Sequence, residues 1–541
     1  MRSWTHWGSL VLASCLALSS NLGAADWNQW RGPDRSGAAP SSPPLAQSWP
    51  KAGPRKVWQS EAIPSGNVGG LGSPVVAGGK VYLYVNWKYV DPIATRTLSD
   101  GGLKQLGWTP QKPPPGLLAV VEEARLSEER QKLIRKDLDP WVKKWLAEKL
   151  SEEQRKKFGG WINDRLRRGK AAIAIEALDK LAEIRNKEFP TKQELGEWLQ
   201  ESGLPVEVKR AAVGQIPTTK DRHTDVIFCL DAADGTRLWR QEYPGRGFDP
   251  GTSTTPLVAG GRLYVIGSLG AVYCLDAGSG ELAWQKPLPA ARGQRVSSSF
   301  AIADGLLVIL ANHLTAMDVA AGEVRWTQPK VSGSDNSPVF WTCGEKNYVL
   351  CNTGRSVFCV DPADGKVLWN VPGGSCSSVA VAGDVMAVQA EAKNVGLSAY
   401  RLSPEKPEKL WSVPHTDRGA SPIIHDQHVY SVTRDGAICV NLETGNVLWK
   451  QNAGGGEISS PILAGGMLLS PVAADKGVLV MTQASPEKFS LLGRAQLGIA
   501  TCTSPAFADG RLYVRLGGAV ACYDLSAAAN TTQPATEPAK D

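Results

Sequence analysis

His425 and His428 stand in an HxxH spacing within IIHDQHVY, and His415 lies ten residues before them. A zinc site takes four protein ligands, or three and a water. One close pair falls short of that, and its sequence reads as a hairpin turn, so no metal is expected there. The chain has neither a Cys-Cys pair nor a CxxC, and GxSxG and P-loop patterns are absent. Acyl transfer and nucleotide hydrolysis therefore lack their signatures, and no catalytic residue is assigned. The remaining chemistry is polar and sparse. Eight Gly/Ser/Thr-rich segments, among them SGNVGGLGSP, GFDPGTSTTP and SGSDNSP, carry few charged groups, and the candidates among these are Asp249, Arg295, Asp335, Arg418 and Glu457. Together they can bind a small polar ligand or a peptide, and singly they can serve as ordinary turn residues. Arg418 and Glu457 open consecutive segments and can pair with each other. Cys376 and Cys502 occupy matching positions in two of these segments.

The elements that position these segments follow from an internal repeat, the first thing to seek in a chain of 541 residues. CLDAADGTRLW ends at Trp239 and CLDAGSGELAW at Trp284. Related stretches end at Trp326, Trp369 and Trp449, with weaker copies at Trp411 and, with Leu in place of Trp, at Leu492. Between them recurs a Ser/Thr-led alternating run, a Gly turn and a second alternating run. Its eight copies begin at Ser73, Thr255, Ser299, Ser337, Ser378, Ser421, Ser460 and Ser504. Alternation of period two broken by Gly turns means short antiparallel strands. Each repeat then supplies four strands, the size of one propeller blade, which cannot bury both faces without neighbours.

The sequence therefore predicts an all-β, eight-bladed β-propeller. The Ser/Thr-led strand is innermost and the Trp-bearing strand outermost, so the polar segments line the funnel. Trp58, Trp239, Trp284, Trp326, Trp369, Trp411 and Trp449 dock each blade on the next. Trp58 has no inner strand before it, so it is expected to complete the last blade beside Asp524 and close the ring without a free edge.

The first blade is interrupted. Its inner hairpin ends near Asn86 and its third strand resumes at Val226. The intervening LIRKDLDPWVKKWLAEKL has helical spacing, and SEEQ at Ser151 and TKQE at Thr191 are capping boxes. Residues 117–216 are read as a helical insertion that either overhangs the funnel or stays at its periphery. Residues 26–116 hold the closing strand and the first half of blade one, and 217–525 the rest of the propeller. RLRRGK at Arg165 is a short basic cluster suited to anionic lipid or polymer, or to a solvated helix face. The polar tail 526–541 reads as disordered.

Residues 1–25 place one Arg before a short apolar run and end in Ala24-Ala25, the pattern of an export signal. The protein is thus expected in the periplasm or outside the cell. LASC at Cys15 offers a lipid anchor as the minor alternative, and no stretch is long enough to span a bilayer. A net charge of +6 over this length does not suggest a nucleic-acid binder. Cys229, Cys274, Cys359, Cys439 and Cys522 share one repeat position and behave as small buried apolar residues.

The A/C-x-D-x-x-x-G-x-x-x-W repeat resembles that of pyrroloquinoline-quinone (PQQ) propellers, and DWNQWRGPDRSG from Asp26 resembles the opening of exported bacterial proteins of that kind. The resemblance implies one of two branches. Quinoprotein dehydrogenases bind PQQ and calcium and carry a vicinal disulfide, a carboxylate set and a catalytic Asp. BamB-like propellers bind proteins without a cofactor. Since this chain lacks the adjacent cysteines and no such carboxylate set can be matched, the expectation is a binding or scaffolding protein of the cell envelope with no cofactor. A PQQ- and calcium-dependent alcohol or sugar dehydrogenase is the alternative, and a polysaccharide-binding propeller the second. Partners would be an envelope protein or peptide, or a small polar ligand.

Overall fold

The computed structural model describes residues 26–50, 52–452, 459–472 and 477–530. The expected export signal with Cys15, the funnel candidate Glu457 and the tail from 531 lie outside those residues. The chain forms two compact units, Val90–Arg222 and the remainder.

The larger unit is all-β, built of antiparallel sheets in the manner of a propeller. Seven of its sheets are four-stranded and one is three-stranded. Each begins with a strand shortly after the repeat's Ser/Thr, three residues long in all but the five-residue Val339–Cys343, as in Leu257–Ala259 after Thr255. Each ends with a longer strand that in most sheets bears the Trp, as in Leu282–Pro287 with Trp284. The Cys/Ala position of the repeat lies directly across from the Trp on the neighbouring strand, as in Cys229↔Trp239, Ala316↔Trp326, Cys359↔Trp369 and Cys439↔Trp449. A small apolar side chain leaves room there for an indole, which is why Cys and Ala interchange.

The strand Arg55–Gln59 pairs with Val520–Asp524 in register Arg55↔Asp524 and Trp58↔Cys522, and so joins the sheet built from the C-terminal repeat. Trp58 then reaches the first repeat, donating from Nε1 to the Ala232 carbonyl at 3.0 Å. Five other repeat indoles bond a carbonyl of the next repeat in the same way: Trp239, Trp326, Trp369, Trp411 and Trp449. The repeat glycine is the other half of each such joint. A Cβ on Gly235 would lie 2.4 Å from Trp58, and one on Gly280 2.7 Å from Trp239. Both glycines also have positive φ, 78° and 76°, so the turn and the contact each exclude a side chain.

Four expectations are corrected. The repeat ending at Trp326 has three strands rather than four. Its two alternating runs meet at Ala311-Asn312-His313 with no Gly loop, and Leu306–Asp318 is one strand carrying Asn312 at φ 67°. Helix begins before residue 117, at Asp100–Leu106, where Ser99 accepts the N–H of Gly102. The first sheet's strands also extend well past Asn86 and well before Val226, as Lys80–Pro92 and Thr219–Asp231. Finally, Ser526–Asn530 is ordered by packing rather than free. Asn530 Oδ1 accepts the N–H of Arg55 at 3.0 Å, and the N–H of Ala527 bonds the Pro44 carbonyl.

The smaller unit is helical. Its longest helix, Glu152–Arg168, starts with a complete capping box between Ser151 and Gln154. Leu103, Leu181 and Leu195 centre one apolar cluster, and Val142, Ile162 and Leu166 another. The three arginines of RLRRGK are internally bonded: Arg165 to Glu122, Arg167 to Asp139 at 2.5 Å and Arg168 to the Gln105 carbonyl at 2.8 Å. Arg165 is enclosed, whereas Arg168 and Lys170 stay exposed to solvent.

Candidate functional site

At seven of the eight positions the Ser/Thr heading a short inner strand donates its N–H to the hydroxyl heading the next. The N–H of Ser504 donates to Ser73 Oγ (2.9 Å), that of Ser73 to Thr255 Oγ1 (3.0 Å), that of Thr255 to Ser299 Oγ (3.0 Å) and that of Ser299 to Ser337 Oγ (2.9 Å). The series continues from Ser337 to Ser378, Ser378 to Ser421 and Ser421 to Ser460, at 3.0–3.2 Å. Because the hydroxyl is the acceptor, the repeat requires Ser or Thr at this position even where the following Pro is lost. All eight residues are buried.

The N-terminal segment crosses these inner strands. Trp27 bridges to Val76, Asn28 bonds Val258, and Ala39 and Gly37 bond Leu463. Arg31 Nη2 donates to the Pro422 carbonyl at 2.7 Å, and Arg35 donates to the carbonyls of Phe300 and Ser299. Both guanidiniums are almost fully enclosed. Burial pushes Arg31 down to about 10 and Arg35 down to about 9, with Arg31 itself contributing to the depression of Arg35. Each lies 5.8 Å from the Trp30 ring centre.

Trp30 forms part of the wall of a cavity of about 450 Å³ whose other walls are the Ser/Thr strand starts and the loops before them. Three of the five charged candidates line it: Arg295, Asp335 and Arg418. Arg295 Nη2 and Asp335 Oδ1 form an ion pair at 2.7 Å, each about one-third exposed. Arg418 is exposed beside Cys376, whose N–H donates to the Arg418 carbonyl at 2.5 Å. Among the described residues, no carboxylate lies within ion-pair distance of Arg418. Its proximity to the Cys376 thiol raises its pKa, while burial raises that of Cys376. Cys376 and Cys502 both line the cavity and are half-buried. Asp249 is exposed and is not part of the wall, which instead takes its neighbour Pro250.

A further buried cation organises one wall. Arg515 is fully enclosed and donates to the carbonyls of Gly72 (2.8 Å), Pro64 (2.8 Å) and Gly69 (2.6 Å), clamping the loop 64–72. Burial pushes its pKa down to about 9. Sequence reasoning passed over Arg515, Arg31, Arg35 and Trp30. The available signal was the run of Trp and Arg in an N-terminal segment with no alternation of its own.

A calcium-bound quinone needs a richer set of oxygen donors than these walls offer. Calcium takes six to eight oxygen ligands, mostly carboxylates and carbonyls. Among the described residues, the one carboxylate lining this cavity is Asp335, already engaged by Arg295. Among the described residues, no group of three or more His, Cys, Asp or Glu side chains is placed to hold a metal ion. The residues do not fit that cofactor. His425 pairs with Asp426 at 3.1 Å, and His415 is enclosed against Thr433, so the histidines do not converge either.

The four-stranded sheet of residues 462–496 shows how a missing repeat Trp is replaced. Where Leu492 replaces it, Trp49 from the N-terminal segment lies against Gly493, with a Cβ there only 2.6 Å from the indole. Pro43 packs on Gly510 of the following sheet in the same way.

No curated protein matches the chain. Among solved structures, BamB from Moraxella catarrhalis is 15% identical, with 55% of this chain and 88% of that one covered and a TM-score of 0.45. A quinohemoprotein alcohol dehydrogenase from Comamonas testosteroni is 14% identical, covering 58% and 73%, with a TM-score of 0.40. The family model described as outer membrane protein assembly factor BamB, a PQQ-type repeat family, matches residues 222–372 and 396–534. With more than half of its length matched, the chain belongs to that family.

Proposed function

We propose that this protein is an exported, eight-bladed propeller of the cell envelope that works by binding, as a scaffold or receptor for an envelope protein or small ligand, and carries no redox chemistry of its own. The observation that supports this reading is the cavity lining. Among the described residues it offers serine hydroxyls, an indole and guanidiniums, and a single carboxylate that is already paired. The eight linked Ser/Thr positions and the Trp58 strand support the blade count and the closure, and the first blade carries the helical insertion. The BamB family supports the envelope setting.

The test is reconstitution. Purified protein incubated with PQQ and calcium is expected to show no dye-linked oxidation of alcohols or sugars, and affinity capture from envelope extracts is expected to retain a specific protein. Dye reduction that requires both PQQ and calcium would refute the reading.

A further inference from the structure

Among the described lining residues, the cavity carries more positive than negative charge. Arg295 and Arg418 line it against one lining carboxylate, Asp335, with Glu391, not part of the wall, also acting on Arg418, while Arg31 and Arg35 each lie 5.8 Å from the Trp30 ring centre. Arg295 and Asp335 cancel each other through their ion pair. The surplus favours an anion. Its wall also holds a buried hydroxyl without a partner. Ser297 is only 8% exposed, lines the cavity, and its Oγ has no hydrogen-bond partner. A buried hydroxyl left unsatisfied costs free energy that a ligand oxygen would recover. The hydroxyls of Ser73, Ser299 and Ser337 accept backbone N–H groups, which leaves each its own proton to donate into the cavity. The Trp30 ring presents a flat apolar surface among these donors. A volume of about 450 Å³ suits a ligand of one or two sugar rings.

Resting on the binding role argued above, we infer that this cavity binds a small sugar acid, with the carboxylate on Arg418, ring oxygens on Ser297 and the neighbouring serine hydroxyls, and the C–H face of the ring on Trp30. A neutral sugar would leave Arg418 unused, and inorganic phosphate would leave the indole unused.

Calorimetric titration of the full chain with D-galacturonate tests this, with D-galactose, inorganic phosphate and PQQ as comparison ligands. Galacturonate is expected to bind, and galactose to bind at least about tenfold more weakly, since a charge-assisted bond contributes about 1.5–3 kcal/mol. Arg418→Gln is expected to weaken galacturonate by about tenfold or more and leave galactose unchanged. Ser297→Ala keeps the test alive if that variant does not fold, and is expected to weaken both sugars several-fold. Absence of heat with galacturonate up to about 10 mM, unchanged affinity in both variants, or tighter binding of phosphate or PQQ would overturn the assignment. A negative outcome here leaves the binding role to be judged by the reconstitution assay, which does not depend on the sugar.

Discussion

His415 is 1% exposed, its Nε2 lies 3.2 Å from Thr433 Oγ1 and its Nδ1 has no partner. Enclosure, helped by the charge of Lys450, pushes its pKa down to about 4 from the 6.5 of a free imidazole. The unfolded chain therefore takes up a proton more readily than the folded one. The stability this neutral ring supports is present above about pH 6.5 and declines as pH falls toward 4, by up to about 3 kcal/mol. Urea unfolding midpoints at pH 7 and pH 4.5 should show the decline, and His415→Gln should flatten it. An equal decline in the variant would assign the effect to other groups. Thiol reactivity should divide just as clearly. Burial pushes Cys229, Cys359 and Cys522 up to about 12 and Cys439 up to about 11, so these should resist alkylation in the folded protein while half-buried Cys343, Cys376 and Cys502 label first. Peptide mapping after brief alkylation checks this. Arg515→Met removes the donors of three enclosed carbonyls, and a loss of about 3–5 kcal/mol is expected by denaturant unfolding.

The joints between sheets set the behaviour of the elements. At six of them the indole N–H meets a carbonyl of the next repeat, whereas among the described residues that of Trp284 meets none. Trp284 still packs on Gly322. Trp239→Phe should therefore cost about 1 kcal/mol more than Trp284→Phe, since both lose similar ring volume and only one loses a hydrogen bond. Unfolding midpoints of the two variants decide it, and equal losses would mean that the bond contributes nothing. These joints are legible in the sequence because a strand's neighbours repeat every two residues and the turn demands Gly. What lies across a joint is not legible where the pattern breaks. Trp49 stands in a Pro-rich stretch with no strand alternation, and only the folded chain brings it to Gly493. The direct junction at Asn312 likewise looked like two strands because the alternation continued through it.

At the scale of the whole molecule, the N-terminal segment does more than complete one sheet. It carries Trp30, Arg31 and Arg35 to the inner strands, then Trp49 to Gly493 and Trp58 to the sheet that joins the two ends of the chain. The eight strand starts and three of the funnel charges could be read from the repeat, since Ser/Thr-led segments recur at a fixed place. The floor could not, because a buried guanidinium is held by carbonyls hundreds of residues away and leaves no local pattern. The cavity proposed as the binding site depends on that segment being locked in place. Hydrogen exchange followed by mass spectrometry measures it directly. Peptides covering Trp27–Gly37 and Arg55–Gln59 are predicted to be protected as strongly as those covering Val520–Asp524, because their amides open only when the ring opens. Exchange of the N-terminal peptides at the rate of an unstructured chain, with Val520–Asp524 still protected, would contradict the closed ring and the cavity floor built on it.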